Sequence, residues 1–336
     1  MPALVSLWNA TAWHRHPKSE GDIVIKRLLA MILSICILVV LVAGCGQSEQ
    51  TPTAEATQEA TQEATQTITD WKADGALKIL AIGNSFSDDT MEYVYQIAKD
   101  LGVENMVLGI LYIGGCTLDT HWSCANEQKP SYEYRRNTGS GWQTTKDTKM
   151  STALMDENWD YVTIQQASPE AGDSASFTHL DELITFVRER VPKTAQLYWN
   201  MTWAYQGDCE NTQFGMYDYD QMKMYSAITQ TAQSVIVPND AFTALIPTGT
   251  AIQNVRTSFI GDTVNRDGYH LNYQIGRYTV GLALVRVVLD MPIDNVTFKP
   301  DGVSAEEQKV AIEAVNNAVQ TPFDVTNSVY TEQPGA

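Results

Sequence analysis

Four short stretches of the chain carry side chains able to make and break an acyl bond. In Gly83-Asn84-Ser85-Phe86-Ser87 a serine follows an apolar run, residues 79–82, that reads as a buried strand closed by a glycine. Ser85 then stands at the carboxyl end of a strand and the start of a helix capped by Asp88 or Asp89. Open α/β sheets bind ligands at such ends, and helix-end amides favour negative charge there. A serine so placed is a candidate nucleophile; as a bare pattern, Asn84, Ser85 and Ser87 are also ordinary turn formers. In Asp267-Gly268-Tyr269-His270-Leu271 an aspartate stands three positions before a histidine. A tight turn at Gly268 lets its carboxylate reach the imidazole Nδ1–H and leaves Nε2 free to take a serine proton. The competing reading is a helix entry with a satisfied histidine. Gly114-Gly115 allows a backbone amide to approach a ligand closely, as half of an oxyanion hole, or is a plain turn. Gln165-Gln166-Ala167-Ser168 ends another strand candidate with side chains that donate hydrogen bonds or simply cap a loop.

In chain order these stretches follow the first, second and third strand candidates and then approach the carboxyl terminus. That arrangement resembles the SGNH, or GDSL-like, hydrolase superfamily. Residues 83–87 resemble its first block, with Asn84 where aspartate is usual; Gly115-Cys116-Thr117 resembles the second; Asp267 to His270 resembles the terminal D-x-x-H. The likeness is strongest to a poorly characterised bacterial lipoprotein branch with G-N-S-F-S, G-G-C-x-L-x-x-H-W, Q-Q-x-S and D-x-x-H-L blocks, and covers about residues 76–290. The usual third block, G-x-N-D, is replaced by residues 165–168. The resemblance implies Ser85 as nucleophile, His270 as base and Asp267 as its orienting carboxylate. It also implies an oxyanion hole from the Ser85 and Gly115 amides with the Gln166 side chain, for which Gln165 or Ser168 is an alternative. Neither a cofactor nor a metal is called for, and the implied fold is a three-layer α/β/α sandwich with a mainly parallel five-stranded, flavodoxin-like sheet.

The substrate expectation is an O-acetylated, or similarly short-acylated, carbohydrate. It rests on aromatic residues able to face sugar rings: Trp122, beside His121, and a run holding Trp199, Trp203, Tyr205, Phe214, Tyr217 and Tyr219. His121, Trp122 and Trp203 are the candidate substrate contacts, with core packing as the competing explanation. The order Ser…Asp…His also occurs in α/β-hydrolases, but their nucleophile lies in G-x-S-x-G, which is not the pattern at Ser85. The other functional class is a non-catalytic glycan- or solute-binding surface lipoprotein.

The elements that must position these groups alternate short apolar runs with amphipathic stretches, as in a parallel sheet covered by helices. Strands are expected at 77–82, 105–113, 159–165, 195–201 and 234–237. Helices are expected at 88–101, 150–157, 177–191, 216–233, 240–256, 272–290 and 304–319. Gly139-Ser140-Gly141 marks a surface β-hairpin insertion near 131–146, and Ser304 with Glu307 forms a capping box. The hydrolase domain is expected to span 76–325, followed by a disordered tail at 326–336. The apolar helix 272–290 packs on the sheet or forms a dimer contact.

Before this domain, Lys26-Arg27, an apolar run over 28–43 and Cys45 describe an export signal, residues 1–44. Val42-Ala43-Gly44-Cys45 resembles a bacterial lipobox, which implies lipidation of Cys45 and attachment to the outer side of the cell membrane. Residues 1–25 exceed an ordinary signal, so a start codon downstream of Met1 is expected, and His14/His16 is discounted as a metal site. Residues 45–75 hold the lipidated cysteine and a Thr/Gln/Glu/Ala tether with too little apolar surface to order itself. The formal charge of −18 deepens when 1–44 is removed, because that segment carries Arg15, Lys18, Lys26 and Arg27 against Glu20 and Asp22. So acidic a chain argues against nucleic acid and anionic lipid as ligands. Cys116, Cys124 and Cys209 remain after processing, which permits one disulfide, expected as Cys124–Cys209.

Overall fold

A computed structural model describes residues 75–333. The signal segment, Cys45 and almost all of the tether lie outside them. Among the described residues no helix is long and apolar enough to cross a membrane.

The centre is β1 (Leu77–Gly83). Ile79, Leu80, Ala81 and Ile82 are all buried although successive side chains point to opposite faces. The sheet is therefore covered on both sides. β2 (Met106–Tyr112) pairs with β1 in parallel on one flank, and β5 (Tyr161–Ile164), β6 (Gln196–Asn200) and β7 (Phe242–Ile246) follow in parallel on the other. Registers Gly83↔Tyr112, Ile82↔Ile164, Ile164↔Trp199 and Asn200↔Ile246 bring the carboxyl ends of these strands together. Strand order reverses direction between β1 and β5, the crevice where such sheets accept ligands.

The expected five-stranded, mainly parallel sheet is corrected by two further strands. β3 (Tyr132–Asn137) and β4 (Trp142–Thr148) extend the β2 edge antiparallel, giving a seven-stranded mixed sheet of order β4-β3-β2-β1-β5-β6-β7. The hairpin read as a surface insertion is thus part of the sheet, because Tyr132 and Tyr134 turn inward and are buried while Glu133 and Arg135 alternate with them. The fifth parallel strand is 242–246, not 234–237. Residues 232–236 instead continue the helix α6 (Gln221–Thr231) as a π-turn.

The helix expected at 88–101 starts earlier and is split into α1 (Ser85–Met91) and α2 (Val94–Asp100), with Asn84 rather than an aspartate as its cap. α3 (Leu118–Asn126), absent from the sequence expectation, packs with α4 (Met150–Leu154) and α5 (Leu180–Arg188). A second group comprises α1, α2, α7 (Thr248–Arg256), α8 (Ile275–Val288) and α9 (Ala305–Gln320). The capping box forms at α9, with Ser304 Oγ accepting the Glu307 amide and Glu307 accepting the Ser304 amide. The expected disordered tail is docked in part: Thr326 N donates to Asn254 Oδ1 (2.7 Å) and Ser328 N to Thr257 Oγ1 (2.8 Å). Cys116, Cys124 and Cys209 are free, buried thiols, so Cys124–Cys209 is not a disulfide. Cys124 lies on α3 near Cys116, whereas Cys209 packs against Gly268.

Candidate active site

Ser85 is the first residue of α1, and the chain reaches it through two constrained neighbours. A Cβ at Gly83 would lie 2.2 Å from Ser87 Oγ and 3.0 Å from Gln165 Cδ, so this glycine serves close approach. Asn84 caps the helix, accepting the Phe86 amide at Oδ1 (3.0 Å) and donating from Nδ2 to the Cys116 carbonyl (3.1 Å). Gln165 Nε2 donates to Asn84 Oδ1 (3.0 Å), while Ser87 Oγ and Asn200 Nδ2 donate to Gln165 Oε1 (both 3.0 Å). Thr248 Oγ1 continues the chain to Asn200 Oδ1 (2.9 Å). This buried network joins the ends of β1, β5 and β6, and its satisfied partners hold the serine turn rigidly.

His270 lies on a small turn closed by the bridge Asn265↔Leu271 and by the Arg266 amide donating to the His270 carbonyl (2.9 Å). Gly268 has φ +89°, and a Cβ there would stand 2.7 Å from Cys209 Sγ, so both conformation and space require glycine. Asp267 Oδ1 accepts the amides of His270 (2.8 Å) and Tyr269 (3.3 Å), and Oδ2 lies 2.7 Å from His270 Nδ1. Burial alone would raise the Asp267 carboxyl, but the hydrogen bonds from the His270 ring and amide outweigh it and hold it below its ordinary value. A carboxylate only accepts, so Nδ1 donates to it, and in the neutral ring Nε2 is then the acceptor. That nitrogen lies 2.7 Å from Ser85 Oγ. Phe86 stacks on Trp203 (4.1 Å, 5°) and meets His270 edge-on.

The structure thus brings Ser85, Asp267 and His270 together. Gly115 has φ +61° and is exposed, and no acceptor among the described residues takes the amide of Ser85 or Gly115. Gln166 is differently engaged. Its Oε1 accepts the amides of Leu118 (2.9 Å) and Ala167 (2.8 Å), and its Nε2 donates to the carbonyl and hydroxyl of Ser176. Both amide hydrogens are committed, so Gln166 braces two loops and offers no donor to an oxyanion. Gln165 belongs to the internal network, and Ser168 Oγ lies 2.9 Å from Tyr205 OH.

The expected substrate contacts also need correction. His121 is fully buried, with Nδ1 2.9 Å from Tyr132 OH, and burial pushes its pKa down to about 3. Trp203 is buried too, and its Nε1 donates to the Tyr269 carbonyl (2.8 Å), propping the histidine turn. Trp122 is half-buried and, with Asp181, Glu182, Thr185, Phe186 and Glu189, lines a separate cavity of about 330 Å³. Arg135 is absent from the sequence expectation, and Asp89 enters it only as a candidate helix cap. Arg135 of β3 sits 3.8 Å over the Tyr112 ring and pairs with Glu133 (2.7 Å) and Asp88, whose carboxyl is raised by burial against the pull of Arg135. Asp89, fully buried, contacts the histidine turn directly. The adjacent Asp88-Asp89 pair and the arginines flanking the D-x-x-H block, Arg266 and Arg277, were the available signal. Among the described residues no cluster of three or more His, Cys, Asp or Glu side chains is arranged to hold a metal.

Residues 78–318 match the DUF4886 family, described as a domain of unknown function. Among solved structures, a DUF4886 family protein from Bacteroides uniformis is 38% identical with a TM-score of 0.73, over 76% of this chain and 100% of that one. A Slackia heliotrinireducens protein provisionally described as an SGNH hydrolase is 21% identical (TM-score 0.41, covering 63% and 99%). A catalytic mutant of an acetylxylan esterase from Geobacillus stearothermophilus is 13% identical (TM-score 0.36, covering 62% and 93%). Likenesses as distant as the last two carry no weight for function. No curated protein matches the chain.

Proposed function

The chain belongs to the DUF4886 family, and from the geometry of its own site we propose that it is a serine esterase of the SGNH type. The observation that carries this reading is the continuous contact from Ser85 Oγ to His270 Nε2 and from His270 Nδ1 to Asp267 Oδ2, each 2.7 Å. Ser85 Oγ attacks the ester carbonyl as Nε2 takes its proton; the same proton then goes to the departing alcohol, and water hydrolyses the acyl-enzyme with His270 again as base. The developing oxyanion faces the Ser85 and Gly115 amides, a hole of two backbone donors. We assign the substrate class as O-acetylated or similarly short-acylated carbohydrate outside the cytoplasm, reached by a protein anchored through Cys45. Half-exposed Tyr269, 4.2 Å from His270 ring to ring, offers an accessible aromatic face beside the base in this reading.

One observation favours the non-catalytic glycan- or solute-binding lipoprotein instead: the amide groups of Gln165 and Gln166 are turned inward, so neither glutamine offers a side-chain donor to an oxyanion. Fluorophosphonate labelling of the full chain in detergent separates the two. The esterase reading expects labelling that Ser85→Ala abolishes, with acetate released from acetylated glycans. Absence of labelling, or its persistence in Ser85→Ala, leaves the binding reading.

A further inference from the structure

We propose that Asp89 is a positioning residue that fixes the distance between Ser85 and His270; the inference rests on the esterase reading above. Asp89 lies four positions after Ser85, one helical turn along the same face of α1. It is 0% exposed, yet it carries a carboxylate, which is tolerated in the interior only when it is well paired. Its partners all belong to the segment that carries the histidine. Oδ2 accepts the amide of Leu271 (2.9 Å), the residue after His270. Oδ1 accepts from Arg277 Nε (2.8 Å) at the start of α8 and from Arg266 Nη1 (3.1 Å) on the opposite side of the turn. Arg266 also donates to the Leu271 carbonyl, and Arg277 to Glu92 Oε2 (3.0 Å).

One carboxylate therefore grips both sides of the D-x-x-H turn and the helix into which it runs. The Asp267–His270 contact is internal to that turn, so the turn can keep its own shape wherever it sits. What the turn cannot supply is its distance from α1. Among the contacts described, Asp89 supplies it directly, from the helix of the nucleophile to the backbone beside the base. A buried ion cluster is a weak device for stability alone, since apolar packing does as well. Its directional bonds are suited to holding one register between two elements.

The test uses the full chain with Asp89→Asn, Arg266→Gln and Arg266→Lys, assayed well below each variant's unfolding temperature and normalised to folded protein. Because a misplacement of about 1 Å costs about 10²-fold, Asp89→Asn is expected to lower kcat and the fluorophosphonate labelling rate by about that factor. KM is expected to stay within about twofold, as for an interaction made only in the transition state. Should Asp89→Asn not fold, Arg266→Gln carries the test, with kcat roughly tenfold lower and partly restored in Arg266→Lys. A fall in unfolding temperature with kcat unchanged in these folded variants makes Asp89 merely structural and overturns the inference. A wild-type chain that neither labels nor hydrolyses esters overturns the esterase reading itself, and this inference with it.

Discussion

Ser85 and His270 are separated by 185 positions in the chain, and the serine hydroxyl lies 2.7 Å from the imidazole Nε2. Asp267 sets which ring nitrogen faces the serine. Asp267→Asn keeps the shape but places an amide beside Nδ1, where it favours the opposite tautomer. In steady-state hydrolysis of a chromogenic acetate ester, kcat is expected to fall by up to about 10⁴-fold with KM little changed. A variant retaining full kcat would remove Asp267 from the mechanism.

Gln166 separates a structural from a chemical role. Gln166→Leu leaves the amides of Leu118 and Ala167 without their present acceptor. A lost partner for a buried group costs about 1–3 kcal/mol, so the urea midpoint is expected to fall clearly. The kcat of the folded fraction should hold within about threefold, against the loss of about 10²–10³ for an oxyanion donor. A loss of that larger size would return Gln166 to the oxyanion hole.

The parallel strands were legible because buried strands are nearly continuous apolar runs, as at Ile79 to Ile82. The same property misled at the fifth strand, where Val235-Ile236-Val237 and Phe242 to Ile246 are both short and apolar. Periodicity does not tell a buried helix turn from a strand at that length. β3 and β4 were seen as a hairpin but not as sheet, because edge strands carry charged residues such as Arg136 and Lys146. That Ser85, Asp267 and His270 belong to one candidate site was legible because their spacing is local, two blocks each held by its own turn. Asp89 was not, since its role depends on Arg266, Leu271 and Arg277 arriving from far along the chain.

His121 and Asp267 predict separate acid-sensitive windows of stability. His121 is held neutral, with a folded pKa of about 3 against ~6.5 in an unfolded chain. Above ~6.5 neither state binds a proton and the residue has no effect. As pH falls below that, only the unfolded chain is protonated, and stability declines by up to about 1.4 kcal/mol per pH unit. His121→Gln, which can still bond Tyr132, is expected to flatten this slope in urea unfolding between about pH 6.5 and 4.5. Asp267, whose folded pKa is lowered, contributes above its unfolded value of ~3.9 and loses that contribution only as pH falls through the folded one. An unchanged slope in His121→Gln would exclude His121 as its source.

Two glycines with positive φ make opposite predictions. At Gly268 (φ +89°) a methyl group meets Cys209 Sγ at 2.7 Å, and the residue's carbonyl accepts the Gln206 amide at 2.7 Å. Gly268→Ala is strained in both conformation and space. It should cost at least about 1–3 kcal/mol, lowering the unfolding temperature and activity together as the histidine turn shifts. At Gly115 (φ +61°) nothing lies within 4 Å of an added Cβ. Gly115→Ala therefore meets only the backbone preference, and stability should fall by no more than about 1–2 kcal/mol. Relaxing that preference re-aims the Gly115 amide, so kcat should drop out of proportion to stability, towards the roughly 10²-fold loss of an oxyanion donor. Equal kcat in Gly115→Ala and wild type, with a normal unfolding temperature, would leave the Ser85 amide without its proposed partner.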